Sequence, residues 1–67
     1  MSSRLQRFVT ELIDSGIKLE QAVREVERQF ILAALEKTRG NRSLAARSLG
    51  IHRNTFNHKI QRHKIKL

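Results

Sequence analysis

The chain contains no cysteine, no tyrosine and no tryptophan, and beyond Glu36 it contains no aspartate or glutamate. Each absence removes a class of molecule. A chain of 67 residues buries only roughly 60% of the surface that its unfolded form exposes. Without cysteine or an evident ligand cluster, disulfides and a structural metal cannot support so small a core, which leaves oligomerisation. One domain and a homodimer are therefore expected. No apolar run approaches the ~20 residues that a bilayer span requires, and the N-terminus lacks a basic-then-apolar signal pattern. A soluble, cytoplasmic protein is expected. The missing tyrosine and tryptophan count against an RNA binder, because stacking platforms are built from such rings and all three phenylalanines are better placed for a core. Enzyme chemistry has little to work with: no paired carboxylates, nucleophile and base, or phosphate loop stands beside the basic region. No cofactor is expected. Nor is a metal, since His52, His58 and His63 include no pair four residues apart to present two imidazoles to one ion.

What is present is charge, and it is segregated. Residues 1–38 carry six Lys or Arg (Arg4, Arg7, Lys18, Arg24, Arg28, Lys37) against six acids (Glu11, Asp14, Glu20, Glu25, Glu27, Glu36). Residues 39–67 carry Arg39, Arg42, Arg47, Arg53, Lys59, Arg62, Lys64 and Lys66 with no acid, so the whole net charge of +8 lies there, beside all three histidines. A solvated surface normally intersperses both signs. A one-signed segment is the footprint of polyanion binding, in which each neutralised phosphate releases condensed counterions.

Apolar spacing divides the chain into helices. Ser3 and Gln6 have the spacing of a capping box, and Leu5, Phe8, Val9, Leu12 and Ile13 follow at helical intervals until Ser15-Gly16. That stripe is wide for a helix with so little partner surface, and the size of the chain favours its burial against a second subunit. A second helix of roughly twenty residues, about 30 Å long, runs over Leu19, Ala22, Val23, Val26, Phe30, Ala33 and Ala34. Gly40 is placed to take the left-handed conformation that ends it. Ile31 and Leu35 add a second apolar strip. Two strips suggest two neighbours: a partner subunit along the first part, through Val23, Val26 and Phe30, and the C-terminal helices against the end. Arg24, Arg28 and Glu27 read as a solvated face.

Asn41 stands where an N-cap should, before a third helix over about Arg42 to Leu49 whose apolar side is Leu44, Ala45 and Leu49. Gly50 closes that helix and Ile51 returns to the core, followed by a fourth helix from about Arg53. This is the pattern of a helix-turn-helix. On the fourth helix, Phe56, Ile60 and His63 form the buried side. Thr55, Lys59 and Arg62 lie on one flank, Arg53, Asn57 and Lys64 on the other, and Asn54, His58 and Gln61 between. Arginine can donate two bonds to guanine and asparagine can pair with adenine, so Arg53, Asn57 and His58 are candidate base contacts. Lys59 and Arg62 are candidate phosphate contacts. So are Asn41, Arg42 and Ser43, at a helix start with free backbone N–H groups. His52 occupies the N-cap slot of the fourth helix, where Ser, Asn or Asp would cap better. It reads either as a base contact or as a tolerated weak cap.

The run Thr38 to Ile60, with the core Gly40-Asn41-x-Ser43-x-Ala45-Ala46-x-x-Leu49-Gly50-Ile51-x-Arg53-x-Thr55-x-x-x-Lys59, resembles the C-terminal helix-turn-helix of the Fis family. That family comprises the bacterial nucleoid protein Fis and the DNA-binding domains that end NtrC-type enhancer-binding activators. The resemblance is weaker over Glu20 to Arg39, and together the two stretches cover about two thirds of the chain. It implies an all-α, four-helix homodimer: helices over residues 1–39 intertwine through Leu5, Phe8, Val9, Leu12, Val23, Val26 and Phe30, and residues 40–67 read double-stranded DNA. It further implies phosphate contacts from Asn41, Ser43, Thr55 and Lys59, a guanine contact from Arg53, binding to loose palindromes with bending, and a place in the bacterial nucleoid. The chain would serve either as a free-standing regulator or behind receiver and ATPase modules. His52 stands where the family usually has Asn or Ser, and Asn57 and His58 stand where Fis itself has basic residues. Against this reading stands a helical interaction module that binds nucleic acid without selectivity.

Overall fold

A computed structural model describes residues 3–66, and among them every element is helical: α1 (Ser3–Asp14), α2 (Leu19–Lys37), α3 (Arg42–Ser48) and α4 (Arg53–Arg62). None of these helices is long and apolar enough to cross a membrane. The all-α, four-helix expectation holds, with boundaries within two residues of those read from the sequence.

The helix ends follow from local chemistry. Ser3 is already helical, so it does not cap α1, whose cap lies outside the described residues. At α2, the Lys18 N–H donates to Gln21 Oε1 at 3.0 Å. This is half of a capping box, because lysine has no acceptor to return. Asn41 caps α3 as expected, its Oδ1 accepting the Leu44 N–H at 3.0 Å. All four helices close with the same pair of backward bonds, in which a left-handed residue precedes an amide that returns to the last turn. Ile17 N–H donates to Leu12 O, Gly40 to Leu35 O, Ile51 to Ala46 O and Ile65 to Ile60 O, at 2.8–3.1 Å.

Glycine takes the left-handed position after α1 and α3, at Gly16 and Gly50. After α2 the expectation needs correction. Arg39 (φ 53°) takes the closing position, and Gly40 (φ 85°) is the residue after it. After α4 the closing residue is Lys64 (φ 53°), which therefore leaves the helix and does not share a flank with Arg53 and Asn57.

The core lies at one end of the molecule. Ile31, Ala34 and Leu35 of α2, Ala45 and Ala46 of α3, and Phe56 and Ile60 of α4 are buried together, with Leu49, Ile51 and Ile65 packed around them. Thus the second apolar strip of α2 faces the chain's own C-terminal helices. Two alanines on α3 let its neighbours approach closely. Leu44 does not join them: it is 47% exposed. At about 100° per residue it lies about 100° from Ala45 and about 160° from Ala46, turned away from the core.

The remaining stripe is uncovered. No residue of α1 is buried. Leu5, Phe8, Val9 and Ile13 of α1 face Val23, Val26 and Phe30 of α2 across an open groove, with all seven exposed and Leu12 half-buried between them. The groove continues to Leu49 and Ile51, and Glu27 and Lys59 stand on its rim.

Candidate nucleic-acid interface

Phe56 and Ile60, one turn apart, fix one side of α4 in the core, and this decides what the opposite side offers. Arg53, Asn54, Thr55, His58, Gln61 and Arg62 are all exposed. The His63 side chain is buried, as the wheel implied, with only 2% of its surface accessible. The exposed crest holds donors and cations and no acid.

The two flanks are engaged with different helices. Asn57 is half-buried beside α3, where Arg42 Nη1 donates to its Oδ1 at 3.4 Å. Two expected DNA-contacting residues, one from each helix of the motif, therefore sit together. Ser43 is exposed one residue along, and the Asn41 side-chain oxygen Oδ1 is occupied by its cap, accepting the Leu44 N–H. At the start of α4, the His52 Nδ1 accepts the Asn54 N–H at 3.1 Å. His52 thus works as an N-cap, the imidazole nitrogen serving as the acceptor that Ser, Asn or Asp would otherwise supply. Its other edge is exposed to solvent.

Lys59 and His63, on the other flank, both meet Glu27 of α2. Lys59 Nζ lies 2.5 Å from Glu27 Oε1, and His63 Nε2 lies 2.6 Å from Oε2. Glu27 is therefore not part of a solvated face, as the sequence had suggested. The hydrogen bond from Lys59, then that from His63, holds its carboxyl below the ordinary value of 4.5, and this outweighs the upward pull of burial. One signal pointed to such a partner: in a segment without acids, Lys59 and His63 stand four residues apart beside the buried side of α4, where partly sheltered polar groups need a partner from another helix. Among the described residues there is no group of three His, Cys, Asp or Glu able to hold a metal.

The model of the Fis family of bacterial regulatory proteins matches residues 22–63, from the first turn of α2 through α4. Over 42 residues, 63% of this chain, it is 57% identical to the transcriptional regulatory protein ZraR of Escherichia coli K12 and covers 10% of that protein. ZraR of Salmonella typhimurium is 55% identical over the same length and share. The DNA-binding transcriptional regulator NtrC of Azospirillum brasilense is 48% identical over 42 residues, 9% of its own length. The chain spans about a tenth of the curated relatives it matches. No solved structure matches it.

Proposed function

Because this chain belongs to the Fis family of bacterial regulatory proteins, we propose that it binds double-stranded DNA selectively as a homodimer and so directs transcription, bending the duplex it holds. In this reading α4 enters the major groove with Arg53 as guanine reader and His52, Asn57 and His58 within reach of neighbouring base edges. Asn41, Arg42, Ser43, Thr55 and Arg62 bind phosphates and set the register. Lys59 lies on the same flank with its charge already committed to Glu27. The stripe of Leu5, Phe8, Val9, Leu12, Val23, Val26 and Phe30 packs against its copy, placing two reading helices about one helical turn of DNA apart. Either setting, free-standing or behind receiver and ATPase modules, uses the same dimer in the bacterial nucleoid.

One observation carries the proposal: the only face of α4 left open is acid-free and rich in Arg, Asn, His and Gln, on a helix whose other side is locked in the core. The test combines salt and sequence. Affinity for a duplex should fall with slope about −0.9 in log K against log salt for each phosphate contact. Arg53→Ala should cost about 1–3 kcal/mol on a site selected from random duplexes and little on unselected DNA. Equal weakening on every sequence would favour the non-selective interaction module.

A further inference from the structure

We infer that Glu27 is a specificity-determining residue: it holds the Lys59 ammonium on α2, away from duplex phosphates, and through Lys59 and His63 fixes the rotation of α4 that aims Arg53. The inference rests on the DNA-binding reading above and concerns a residue in the half of the chain that does not touch the duplex in that reading.

Three observations meet here. Among the described residues, Lys59 is the one lysine or arginine that contacts a carboxylate, although residues 39–67 hold eight such cations. Glu27 splits its two oxygens between two α4 groups that are four residues apart, at 2.5 and 2.6 Å. Both bonds end on the Glu27 carboxylate, which makes them charge-assisted, and both resist rotation of α4 about its axis. The pair is partly sheltered, with side chains 26% and 28% exposed, so water and salt screen it less than a surface pair. For Lys59 to reach a phosphate it would have to leave that carboxylate half-satisfied. A cation held in this way adds little to counterion release, which is the sequence-independent part of binding. Base readout depends on where the helix points, and the same carboxylate governs both.

The test measures the 67-residue chain against a selected-site duplex and a random duplex over a salt range of about 50 to 200 mM. Glu27→Gln frees Lys59, so its slope should steepen by about 0.9 per subunit, which is about a threefold greater loss of affinity across that range. The ratio of selected to random affinity should fall by about fivefold or more, the lower end of what one bidentate base contact supplies. The double variant Glu27→Gln with Lys59→Gln should regain the original slope, and Glu27→Asp should keep it. A Glu27 that served folding alone would lower the melting temperature and leave the slope unchanged, which overturns the inference. If Glu27→Gln shows no cooperative melt, Lys59→Gln decides: an unchanged slope supports the inference, and a slope shallower by about 0.9 shows a phosphate contact and overturns it. If the unmodified chain binds the duplex and these results fail, the inference fails alone. If the unmodified chain ignores the duplex at low salt, the DNA-binding reading fails and takes the inference with it.

Discussion

Val26→Glu tests what covers the open groove. Val26 of α2 lines the groove together with Phe8 (50% exposed) and Phe30 (58% exposed), and is itself 43% exposed in a single chain. Covering what remains of a valine contributes about 0.7 kcal/mol at the transfer value for such side chains, so Val26→Ala should weaken a dimer only slightly. Glutamate is different. It places a carboxylate against an apolar face whose one lining cation among the described residues, Lys59, is already paired with Glu27, and the effective desolvation penalty is several kcal/mol per ion. A two-fold interface contains the change twice. The total is on the order of 6 kcal/mol, about a 10⁴-fold rise in the dimer dissociation constant at 1.4 kcal/mol per decade. Sedimentation over a hundredfold range of concentration reads this directly. The unmodified chain should sediment as a dimer, with a melting temperature that rises with concentration; Val26→Glu should sediment as a monomer and lose that dependence. A monomeric unmodified chain with a concentration-independent melt would refute the reasoning, as would a Val26→Glu dimer of undiminished affinity.

Removing the cap with Asn41→Ala should cost about 1 kcal/mol, read as a melting temperature lower by about 4–8 °C, because the Leu44 N–H then loses its acceptor. Arg39→Gly should act in the other direction. The left-handed conformation costs a non-glycine residue about 1 kcal/mol, so relief at φ 53° should raise stability by up to that amount, with Lys64→Gly behaving alike; chemical denaturation checks both. The Glu27 carboxyl ionises more readily in the folded chain than at its ordinary 4.5, so the native state binds fewer protons than the unfolded one in that range. Its contribution is therefore complete above about pH 4.5 and disappears as pH falls through the lower folded value. Melting curves between pH 6 and pH 3 should show this loss, and Glu27→Gln should show a smaller one.

Four helices can be read from residue spacing because three of them stop at glycine-containing turns, at Ser15-Gly16, at Gly40 and at Gly50. The end of α4 at Arg62 carries no such breaker and places Lys64 outside the helix against expectation. The role of Ile31 and Leu35 was equally visible, since a second strip on one helix requires a second neighbour. Where sequence reading failed, the missing information was non-local or sub-residue. Glu27 meets partners 32 and 36 positions away, so the four-residue spacing of Lys59 and His63 can call for a carboxylate without saying which one. Gly40 is left-handed, as glycine's freedom suggests, but the bond that closes α2 puts a second left-handed residue, Arg39, ahead of it. Leu44 reads as part of the apolar side of α3, but the core takes Ala45 and Ala46, and Leu44, about 100° and about 160° round the helix from them, is left 47% exposed. Candidate contacts on α4 were legible as a set; which of them are already bound to Glu27 or Arg42 was not.

That no side chain of α1 is buried has a consequence for how the molecule responds to its own abundance. An isolated helix of twelve residues is marginal in water, and nothing in the C-terminal core reaches far enough along α1 to make up the difference. Helicity in the N-terminal stretch should therefore rise and fall with whatever shields Phe8 and its apolar neighbours, while the basic end keeps its shape regardless. Amide exchange in that stretch would then report supply: scarce copies exchange quickly there, and plentiful copies slow down.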